Sequence, residues 1–378
     1  MNKLTQIFSY IKSILRVIRQ PEMPPDLIFF VTSHCNARCE YCHFIEQIKD
    51  PERKKRELTS EEIELIAKNY GKLSKLSLSG GEPFIRNDLA RIIQAFIDHC
   101  ETNIIDIPTN GFYTDSILKQ TKAILENNPN IILEIQLSID GPEDTHDRLR
   151  NIRGLYKKII YTYEQLSVLQ SQFTNLRIKM NLTYQQGNED VVWDMARDFD
   201  AKYIFDRFQI TFPHGYNILK EKINELNYKA FYKLSRQIQI YMKFRSKYDL
   251  HSLIFRAIKI IRDESLLRII KKGDMGRLCG AGRRIAVIDD IGDVFPCEPL
   301  WTPVGNVRDN GYIISNILNS ESMSKFRSKY LGAKKCHCTW GCVVLDNIIF
   351  NPSYYPVILF YMAYLFIFGG RGFRNCEK

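Results

Sequence analysis

No stretch of this sequence has the apolar core of a secretory signal, and no arginine-rich arm stands out among its 53 Lys and Arg residues. An apolar run at residues 354–368 is shorter than the roughly 20 residues that a membrane crossing takes. These absences argue against a secreted protein stapled by disulfides, against a membrane-spanning protein and against a nucleic-acid partner. We therefore expect a cytoplasmic protein. The formal net charge of +10 still favours an anionic partner.

Ten cysteines without a secretory signal point to metal binding. In the stretch CNARCEYC, three and then two residues separate Cys35, Cys39 and Cys42. Three thiolates this close can hold three irons of a cubane cluster and leave the fourth iron open. A structural zinc site usually takes four ligands, and only His43 is near enough in sequence to be the fourth. The cysteines follow a predicted strand at residues 27–33, and this favours an enzyme because α/β enzymes keep their chemistry at the C-terminal ends of strands.

A second motif, LSLSGGEPF at residues 76–84, runs from an apolar strand into two glycines. Gly80 and Gly81 let the backbone come close to a ligand, and Glu82 adds an acceptor beside it. The CX3CX2C spacing together with GGEP resembles the radical S-adenosylmethionine (radical SAM) family. The resemblance implies a [4Fe–4S] cluster on the three cysteines. It also implies that S-adenosylmethionine (SAM) is bound by Tyr41, Gly80, Gly81, Glu82 and Pro83.

Predicted strands and helices alternate from about residue 27 to 211, which indicates repeated βα units around a parallel sheet. Six units are too few for an eight-stranded barrel. We predict an α/β fold: a partial (βα)6 TIM-type barrel with a small C-terminal auxiliary iron-sulfur domain, as in the family that the sequence resembles. The predicted strands are 27–33, 75–80, 103–111, 131–141, 176–184 and 203–212, and the predicted helices are 60–71, 87–99, 114–127, 156–172 and 189–201.

Polar residues at the predicted strand ends should face the active site. Asn110 ends the third strand, where the resemblance implies contact with the ribose or adenine of SAM; a simple turn is the alternative. Ser138 and Asp140 close the fourth strand in a stretch that resembles SxDG…HDxxR, in which the serine and a downstream arginine bind the methionine carboxylate. We choose Arg153 as that arginine, because a guanidinium fork suits a carboxylate, and Asp140 as a catalytic candidate. The competing arginines are Arg148 and Arg150.

Asn181 ends the fifth predicted strand and is a further candidate for cofactor contact. Side chains along a strand alternate between its two faces, so Asn181 points inward only if Lys179 and Thr183 do so as well. A lysine inside the barrel would need a partner. The prediction for Asn181 therefore depends on a partner for Lys179.

Five cysteines lie in a C-terminal segment that contains VIDDIGDVFPCEP and CHCTWGC. The segment resembles the extension known as SPASM, or its shortened form twitch, in which CX9–15GX4C and later cysteines bind auxiliary [4Fe–4S] clusters. Only CXCX3C is present where the full pattern has CX2CX5CX3C and a last distant cysteine, which argues for one auxiliary cluster. Its predicted ligands are Cys279, Cys297, Cys342 and either Cys336 or Cys338, with Cys338 preferred because CTWGC preserves the terminal CX3C.

Glu298 directly follows Cys297. Some peptide-oxidising relatives carry an acidic residue at this place, where it takes a proton from the substrate. The resemblance therefore makes Glu298 a candidate catalytic base. A solvent-facing glutamate in a PCEP turn is an equally good alternative.

Both ends of the chain have patterns that favour a membrane surface. Residues 4–18 place apolar side chains on one helical face with basic residues among the rest, the pattern of an interfacial helix. Packing against the barrel or a second copy explains the apolar run at 354–368 about as well. Contact with the inner face of the membrane is therefore one expectation. The predicted segments are an amphipathic helix (1–25), the radical SAM partial barrel (26–215), a helical insertion or linker (216–276), an auxiliary cluster domain (277–346) and an apolar tail (347–378).

The resemblance implies an enzyme of the oxidoreductase or a related radical class. A flavodoxin or ferredoxin would deliver an electron, SAM would be cleaved, and a 5′-deoxyadenosyl radical would abstract hydrogen from the substrate. The basic charge and the apolar ends favour a carbohydrate or lipid-linked substrate. Two alternatives stay open: modification of a peptide or protein side chain, and a non-catalytic iron-sulfur protein for electron transfer or binding. The intact CX3CX2C and GGEP motifs argue against the non-catalytic protein.

Overall fold

The computed structural model describes residues 23–185, 188, 190–212, 228–245, 250–272, 279–330, 338 and 340–372, apart from the side chain of His251. The interfacial helix predicted for residues 4–18 lies outside the described residues, as does the predicted ligand Cys336.

Within the described residues one sheet contains nine strands in the order β6-β5-β4-β3-β2-β1-β7-β8-β9. The strands are β1 (Asp26–Thr32), β2 (Lys75–Gly80), β3 (Ile104–Thr109), β4 (Ile132–Ser138), β5 (Leu176–Thr183), β6 (Arg207–Thr211), β7 (Ile285–Ile288), β8 (Asp293–Phe295) and β9 (Gly305–Asn306). Strands β1 to β6 are joined in parallel, each to the next along the chain. This order confirms the predicted sheet of six βα units.

The sheet continues beyond the six predicted strands. β7 pairs with β1 in parallel, with Ile28 opposite Val287, and β8 and β9 follow as antiparallel strands. The auxiliary region is therefore attached to the edge of the barrel next to β1, the strand that leads into the first cysteine loop.

The helices alternate with the strands in the barrel and then gather in the C-terminal half. They are α1 (Ile45–Lys49), α2 (Pro51–Lys54), α3 (Ser60–Tyr70), α4 (Leu89–Cys100), α5 (Thr114–Asn127), α6 (Glu143–Arg150), α7 (Leu155–Gln172), α8 (Val192–Lys202), α9 (Tyr228–Tyr241), α10 (Leu250–Lys272), α11 (Ile314–Leu318), α12 (Glu321–Tyr330), α13 (Gly341–Ile349) and α14 (Tyr355–Phe368). The five predicted barrel helices agree with α3, α4, α5, α7 and α8 to within three residues. A reciprocal capping box between Thr59 and Glu62 fixes the start of α3.

Helix α6 occupies a stretch that the sequence indicates as a polar loop. Only His146, Leu149 and Arg150 of this helix are buried, so it lacks a continuous apolar face. The carboxylate of Asp147 accepts hydrogen bonds from the backbone N–H of Gly154 (2.5 Å) and of Tyr156 (2.8 Å). These contacts hold the turn into α7, and apolar periodicity does not reveal them.

The two faces of the barrel strands differ in polarity. The apolar residues that alternate along β2, β4, β5 and β6 are buried under the helices, as Leu78, Ile135 and Met180 are. The opposite face is polar and partly exposed, as alternation along a strand allows. It carries Ser77, Ser79, Gln136, Ser138, Asn181, Arg207, Gln209 and Thr211. A polar, partly exposed inner face is what a substrate chamber requires, whereas the interior of a closed barrel is packed.

The predicted helical insertion forms α9 and α10. α9 packs against β6, and α10 packs against α9, α13 and α14. No single described helix is both long and apolar enough to cross a bilayer; Gly341–Ile349 and Pro352–Phe368 pass that test only as a pair, which is bent by 85°.

Candidate active site

Backbone hydrogen bonds join the first cysteine loop to the GGEP segment. Gly81 N donates to Thr32 O (2.7 Å), and Glu82 N donates to His34 O (2.8 Å). A Cβ on Gly81 would lie 2.1 Å from His34 O, so no larger residue fits there. A Cβ on Gly80, whose φ is +120°, would lie 2.3 Å from Thr32 O. The two glycines therefore let the end of β2 approach the chain that enters the cysteine loop.

Glu57 fixes the start of the cysteine loop. Its carboxylate accepts hydrogen bonds from the backbone N of Ser33 (2.6 Å), from Ser33 Oγ (2.8 Å) and from Thr32 Oγ1 (3.0 Å). No local pattern in the sequence marks Glu57, because its partners lie 24 and 25 positions away. We assign Glu57 a positioning role.

The three predicted cluster ligands lie in a pocket that disfavours free thiolates. Burial raises the pKa of Cys35 and of Cys42 to about 12, and the charge of Glu82 adds to the effect at Cys35. Burial also raises the pKa of Cys39, although Arg150 opposes the shift. Thiols in such a pocket lose their protons when a bound cation compensates the charge. The three cysteines are partly buried, and sulfur donors whose thiolates need such compensation suit the irons of a cluster.

Glu82 is buried, and the protein already engages its carboxylate. The carboxylate accepts hydrogen bonds from Thr109 Oγ1 (2.8 Å) and from Asn110 N (2.8 Å). Asn110 Nδ2 donates in turn to Asn36 Oδ1 of the cysteine loop (2.8 Å). Burial raises the pKa of Glu82 to about 7, although these hydrogen bonds oppose the shift. Glu82 and Asn110 thus tie the end of β3 to the cysteine loop, and the buried Pro83 starts a short 3-10 turn beside them.

Asp140, a predicted catalytic residue, is fully buried and fully engaged. Its carboxylate accepts hydrogen bonds from Arg150 Nε (2.7 Å), from Thr183 N (2.9 Å) and from the hydroxyl of Tyr41. Burial raises the pKa of this carboxyl, but Arg150 and the other donors outweigh burial and hold the pKa below its usual value. A carboxylate held in this way positions its neighbours. It ties Tyr41 of the cysteine loop to Arg150.

Arg150, and not the predicted Arg153, lies next to the cysteine loop. Arg150 is 7% exposed, and its guanidinium carbon lies 6.0 Å from the centre of the Tyr41 ring. Arg153 is exposed. α6 ends at Asn151, whose φ of 55° turns the chain, so Arg150 stays on the buried side of the helix and Arg153 lies beyond the turn. We therefore replace Arg153 by Arg150 as the candidate for binding a carboxylate.

Ser138 and Asn181 are paired across β4 and β5 on the inner face of the barrel. The partner that this placement requires for Lys179 is present. Lys179 Nζ donates to both carboxylate oxygens of Asp106 (2.9 Å each) and lies 3.3 Å from Glu134 Oε2. The structure thus meets the condition set for an inward-facing Asn181.

The second cysteine region is assembled from three separate segments. Cys279 precedes β7, Cys297 follows β8, and Cys338 and Cys342 flank the start of α13. The turn after Cys279 reaches α13, because a Cβ on Gly280 would lie 3.3 Å from Asn347 Oδ1. The charge of Glu298, which follows Cys297, acts on the thiol of Cys342. These contacts bring the three segments near one another, and their cysteines stay the predicted donors of an auxiliary cluster.

The two cysteine regions meet through the residues that directly follow Cys42 and Cys297. His43 Nε2 lies 3.1 Å from Glu298 Oε1. Glu298 is 6% exposed, so the alternative of a solvent-facing glutamate is wrong. Trp301 packs beside this pair, with its ring centre 6.1 Å from that of His43. Glu298 therefore lies between the two predicted cluster sites.

A buried ion group joins the same two regions. Arg53 of α2 donates from Nε to Asp290 (2.9 Å) and from a terminal nitrogen to Asp289 (2.5 Å). Burial raises the pKa of Asp289 to about 7; Arg53 opposes the shift and Asp290 adds to it. Sequence reasoning missed this group, because more than 230 positions separate the arginine from the two aspartates.

Comparison with known proteins agrees with this arrangement. The model of the radical SAM superfamily matches residues 29–177, and the model of SPASM, an iron-sulfur cluster-binding domain, matches residues 279–342. The chain belongs to the radical SAM superfamily of SAM-cleaving enzymes. Within it, the SPASM domain places the chain among members with a C-terminal iron-sulfur extension. The cofactors of the radical SAM domain are SAM and a [4Fe–4S] cluster. The SPASM domain adds auxiliary iron-sulfur clusters.

Individual relatives are more distant. GTP 3′,8-cyclases of Staphylococcus aureus strains JH9 and Newman are 34% identical over 191 residues, which are 48% of this chain and 53% of theirs. The chain thus spans about half the length of the curated relatives it matches. The structure of anSMEcpe with bound AdoMet has a TM-score of 0.60 at 16% identity and covers 90% of this chain and 99% of its own. The structure of Streptococcus suis SuiB bound to precursor peptide SuiA has a TM-score of 0.53 at 17% identity. The match covers 90% of this chain and 76% of the SuiB chain. At these identities the two structures show the fold alone.

Proposed function

We propose that this enzyme abstracts hydrogen from a carbohydrate or lipid-linked substrate and belongs to the oxidoreductase or a related radical class. Cys35, Cys39 and Cys42 would hold a [4Fe–4S] cluster, which with SAM and one electron from a flavodoxin or ferredoxin would supply the hydrogen-abstracting 5′-deoxyadenosyl radical. The hydrogen atom taken from a substrate C–H bond would leave in 5′-deoxyadenosine. Residues 26–215 would house this step, and residues 277–346 would hold the auxiliary cluster.

A lysine that has no ion-pair partner in the described part of the chain lies at the inner face of the barrel and carries the substrate proposal. Lys259 of α10 donates to Gln209 Oε1 of β6, and Gln209 Nε2 donates to Gln136 Oε1 of β4 (2.9 Å). Among the described residues no carboxylate forms an ion pair with Lys259. Burial lowers the pKa of Lys259 well below its ordinary value; Arg262 and Lys179 add to this effect, and Asp263 and Cys342 oppose it without reversing it. A phosphate or carboxylate on the substrate would supply the missing negative charge.

The other cations inside the barrel lie beside carboxylates, and one of them is Lys75, whose Nζ lies 3.6 Å from Asp106 Oδ2. Lys179 is held by Asp106 and Glu134, and Arg207 lies 2.6 Å from the second oxygen of Glu134. Within the part of the chain that the structure describes, Lys259 is left without a carboxylate in ion-pair distance. The serine, threonine and amide side chains around them offer donors and acceptors to hydroxyl groups. A polyhydroxylated, anionic substrate suits such a chamber.

The residues proposed to contact SAM lie at the C-terminal ends of the barrel strands and in the loops that follow them. They are Tyr41, Gly80, Gly81, Glu82, Pro83, Asn110, Ser138 and Asn181, with Arg150 in place of Arg153. Ser138 and Asn181 are paired at the C-terminal ends of β4 and β5 on the inner face of the barrel. This position supports the proposal that both contact SAM. Asp140 is retained as the residue that positions Arg150 and Tyr41.

Glu298 is the candidate base of the proposed reaction. If the substrate radical is oxidised, it loses one electron and one proton to give a closed-shell product. The electron would pass to an auxiliary cluster at Cys279, Cys297, Cys342 and either Cys336 or Cys338, with Cys338 preferred. The proton would pass to a carboxylate oxygen of Glu298, whose buried position between the two cysteine regions supports this role.

Modification of a peptide or protein side chain is the second candidate. The structures that share this fold include anSMEcpe with bound AdoMet and a Kp18Cys peptide, and SuiB with its precursor peptide. The buried acid after Cys297 is compatible with that chemistry too. We prefer an anionic carbohydrate because, among the described residues, no carboxylate forms an ion pair with Lys259.

We place the enzyme in the cytoplasm, in contact with the inner face of the membrane. Lipid-linked intermediates lie in that surface, and an enzyme that acts on them must approach it. The apolar C-terminal part of the chain supports this placement.

The test is an anaerobic assay of the reconstituted protein with SAM and dithionite. We expect UDP-N-acetylglucosamine or polyprenyl-diphosphate-linked N-acetylglucosamine to raise the rate of 5′-deoxyadenosine formation. Lys259→Met should abolish that increase and leave the substrate-free rate unchanged. The matched control is Lys119→Met, an exposed lysine on α5.

Other outcomes separate the alternatives. An increase with a synthetic peptide library and none with either sugar would favour the peptide candidate. An equal increase in wild type and Lys259→Met would contradict the role of Lys259. If the fully reconstituted protein made no 5′-deoxyadenosine, the non-catalytic alternative would stand.

A further inference from the structure

Helix α14 has apolar or aromatic side chains on all its sides. Its sequence, YPVILFYMAYLFIF, contains no charged residue. A helix of this composition is normally buried inside a large protein or in a membrane. In this structure it is not, because only Ile358, Tyr361 and Leu365 are buried.

The buried and exposed residues of α14 lie on opposite faces. Positions 358, 361 and 365 follow the three- and four-residue spacing of one stripe, and this stripe packs against α10. The opposite face carries Leu359 and Phe360, each 64% exposed. Seven residues, or about two turns, later it carries Phe366 (58% exposed) and Ile367 (62% exposed). Four large apolar side chains therefore form one continuous exposed surface, which we call the α14 face.

The rest of the fold holds the α14 face rigidly. Tyr361 OH donates to Glu264 Oε1 of α10 (2.5 Å), which anchors the buried stripe. After the helix ends, Gly370 N donates to Ile240 O (2.7 Å) and Gly372 N donates to Tyr241 O (2.9 Å) of α9. Because both α9 and α10 hold the helix, its outer face cannot turn inward without breaking these bonds.

Basic residues border one end of the α14 face. Arg371 is exposed, and its guanidinium carbon lies 5.4 Å from the centre of the Phe368 ring. The exposed Lys243 lies beside it, since a Cβ on Gly372 would be 3.6 Å from Lys243 Cε. Arg245, also exposed, follows two residues later. The apolar face thus ends beside exposed basic side chains, with the buried carboxylate of Asp200 next to them, 3.7 Å from a Cβ on Gly372.

We infer that the α14 face docks the enzyme on an anionic lipid bilayer, with the helix lying in the plane of the interface. A helix of 14 residues is about 21 Å long, too short to span the bilayer but long enough to lie along it. Its apolar and aromatic side chains would enter the boundary between headgroups and acyl chains. Lys243, Arg245 and Arg371 would meet the lipid phosphates. This inference rests on the membrane contact proposed above and assigns the surface that makes it.

The charges favour lipid over a second copy of the chain as the occupant. In a symmetric dimer each face would meet its own equivalent, and the basic ends would approach other basic surface on a protein of net charge +10. An anionic bilayer satisfies both the apolar face and its basic border at once.

The experiment is flotation of the reconstituted holoprotein with vesicles of phosphatidylcholine and phosphatidylglycerol at 7:3, and with phosphatidylcholine alone. We expect binding to the anionic vesicles that weakens as salt rises. Leu359→Glu/Phe366→Glu should raise the lipid concentration for half-maximal binding by about tenfold or more, since two large side chains no longer enter the apolar layer.

The matched control is Val168→Glu/Ile204→Glu, which adds the same two charges at side chains that are 60% and 48% exposed elsewhere on the barrel. It should bind vesicles like the wild type. If the double variant in α14 fails to fold, Phe360→Trp replaces it. Its fluorescence should be quenched by lipids brominated near the top of the acyl chain.

Three results would overturn the inference. The first is wild-type protein that stays out of the vesicle fraction. The second is binding that is lost on removal of residues 1–22 but kept in the α14 variant. The third is a wild-type dimer that the α14 variant converts to monomer without any vesicle binding. SAM cleavage is measured on the same samples, so an enzyme that forms 5′-deoxyadenosine and ignores vesicles contradicts only the docking surface.

Discussion

The two cysteine regions reach their positions in different ways. The first lies on one octapeptide at the end of β1, so its three sulfurs are close because they are close in the chain. The second is predicted to draw on residues 279, 297, 338 and 342, which belong to segments next to β7, β8 and α13 and are far apart in the chain. The first region is therefore determined mainly by local sequence and the second by packing.

The contacts around each region show the same contrast. Glu57 and the GGEP segment support the first cysteine loop from inside the barrel domain. The second region depends on the pairing of β7 with β1 and on the buried group of Arg53, Asp289 and Asp290. The second region should therefore be the easier of the two to disturb from a distance.

Removing a ligand from each region should have the largest effect and should separate their roles. We expect Cys35→Ala/Cys39→Ala/Cys42→Ala to lower the iron content from about eight to about four per chain and to abolish 5′-deoxyadenosine formation. Cys297→Ala should lose the other four or so irons and keep SAM cleavage. Iron and sulfide analysis with a product assay measures both. If the wild type held about four irons and the triple variant none, the auxiliary cluster would be ruled out.

Arg53→Met should remove the buried ion pairs that join the two cysteine regions and so lower the stability of the protein. Two buried carboxylates would lose their cation, a change that costs about 3–5 kcal/mol of unfolding free energy. Urea unfolding followed by circular dichroism measures the loss. Arg56→Met, an exposed neighbour, is the control and should change little. Equal stability of the two variants would show that the group of Arg53 does not hold the regions together.

Arg150→Lys tests the correction made to the sequence prediction. Lysine keeps the charge that Asp140 needs but loses the planar fork, so we expect SAM binding about tenfold weaker. Arg153→Lys should leave binding unchanged, because Arg153 is exposed. Equilibrium binding of SAM to the reconstituted protein gives both values. A larger loss for Arg153→Lys would restore the original choice.

The pH dependence of stability should show the smallest effect. The pKa of Asp289 is raised to about 7 in the folded protein, so between about pH 4 and 7 the folded state holds a proton that the unfolded state has lost. Stability should therefore fall by about 1 kcal/mol from pH 6 to 8 and change little above that. Asp289→Asn should remove the part that Asp289 contributes and leave the part of Glu82, whose pKa is also raised to about 7. Urea midpoints at pH 6, 7 and 8 provide the measurement, and equal slopes in both proteins would contradict it.

The sequence predicted much of the barrel because the signals are local. Alternating apolar residues predicted strands such as β2 and β5, and helical periodicity predicted α5 and α7. Helix α6 was missed because it lacks a continuous apolar face, and the hydrogen bonds of Asp147 that hold the turn from α6 into α7 leave no periodic pattern in the sequence. Arg150 and Arg153 are three residues apart, and only the turn at Asn151 decides which one is buried.

The sequence by itself determined the family, the first cluster loop and the six βα units, because each depends on residues near one another in the chain. Only the tertiary structure decided that β7 extends the barrel, that Glu57 and Arg53 brace the cysteine regions, and that Glu298 meets His43. It also decided that Lys259 faces the chamber and that α14 exposes an apolar face. The physical reason is that burial and charge pairing depend on neighbours in space, and residues hundreds of positions apart leave no shared pattern in the sequence.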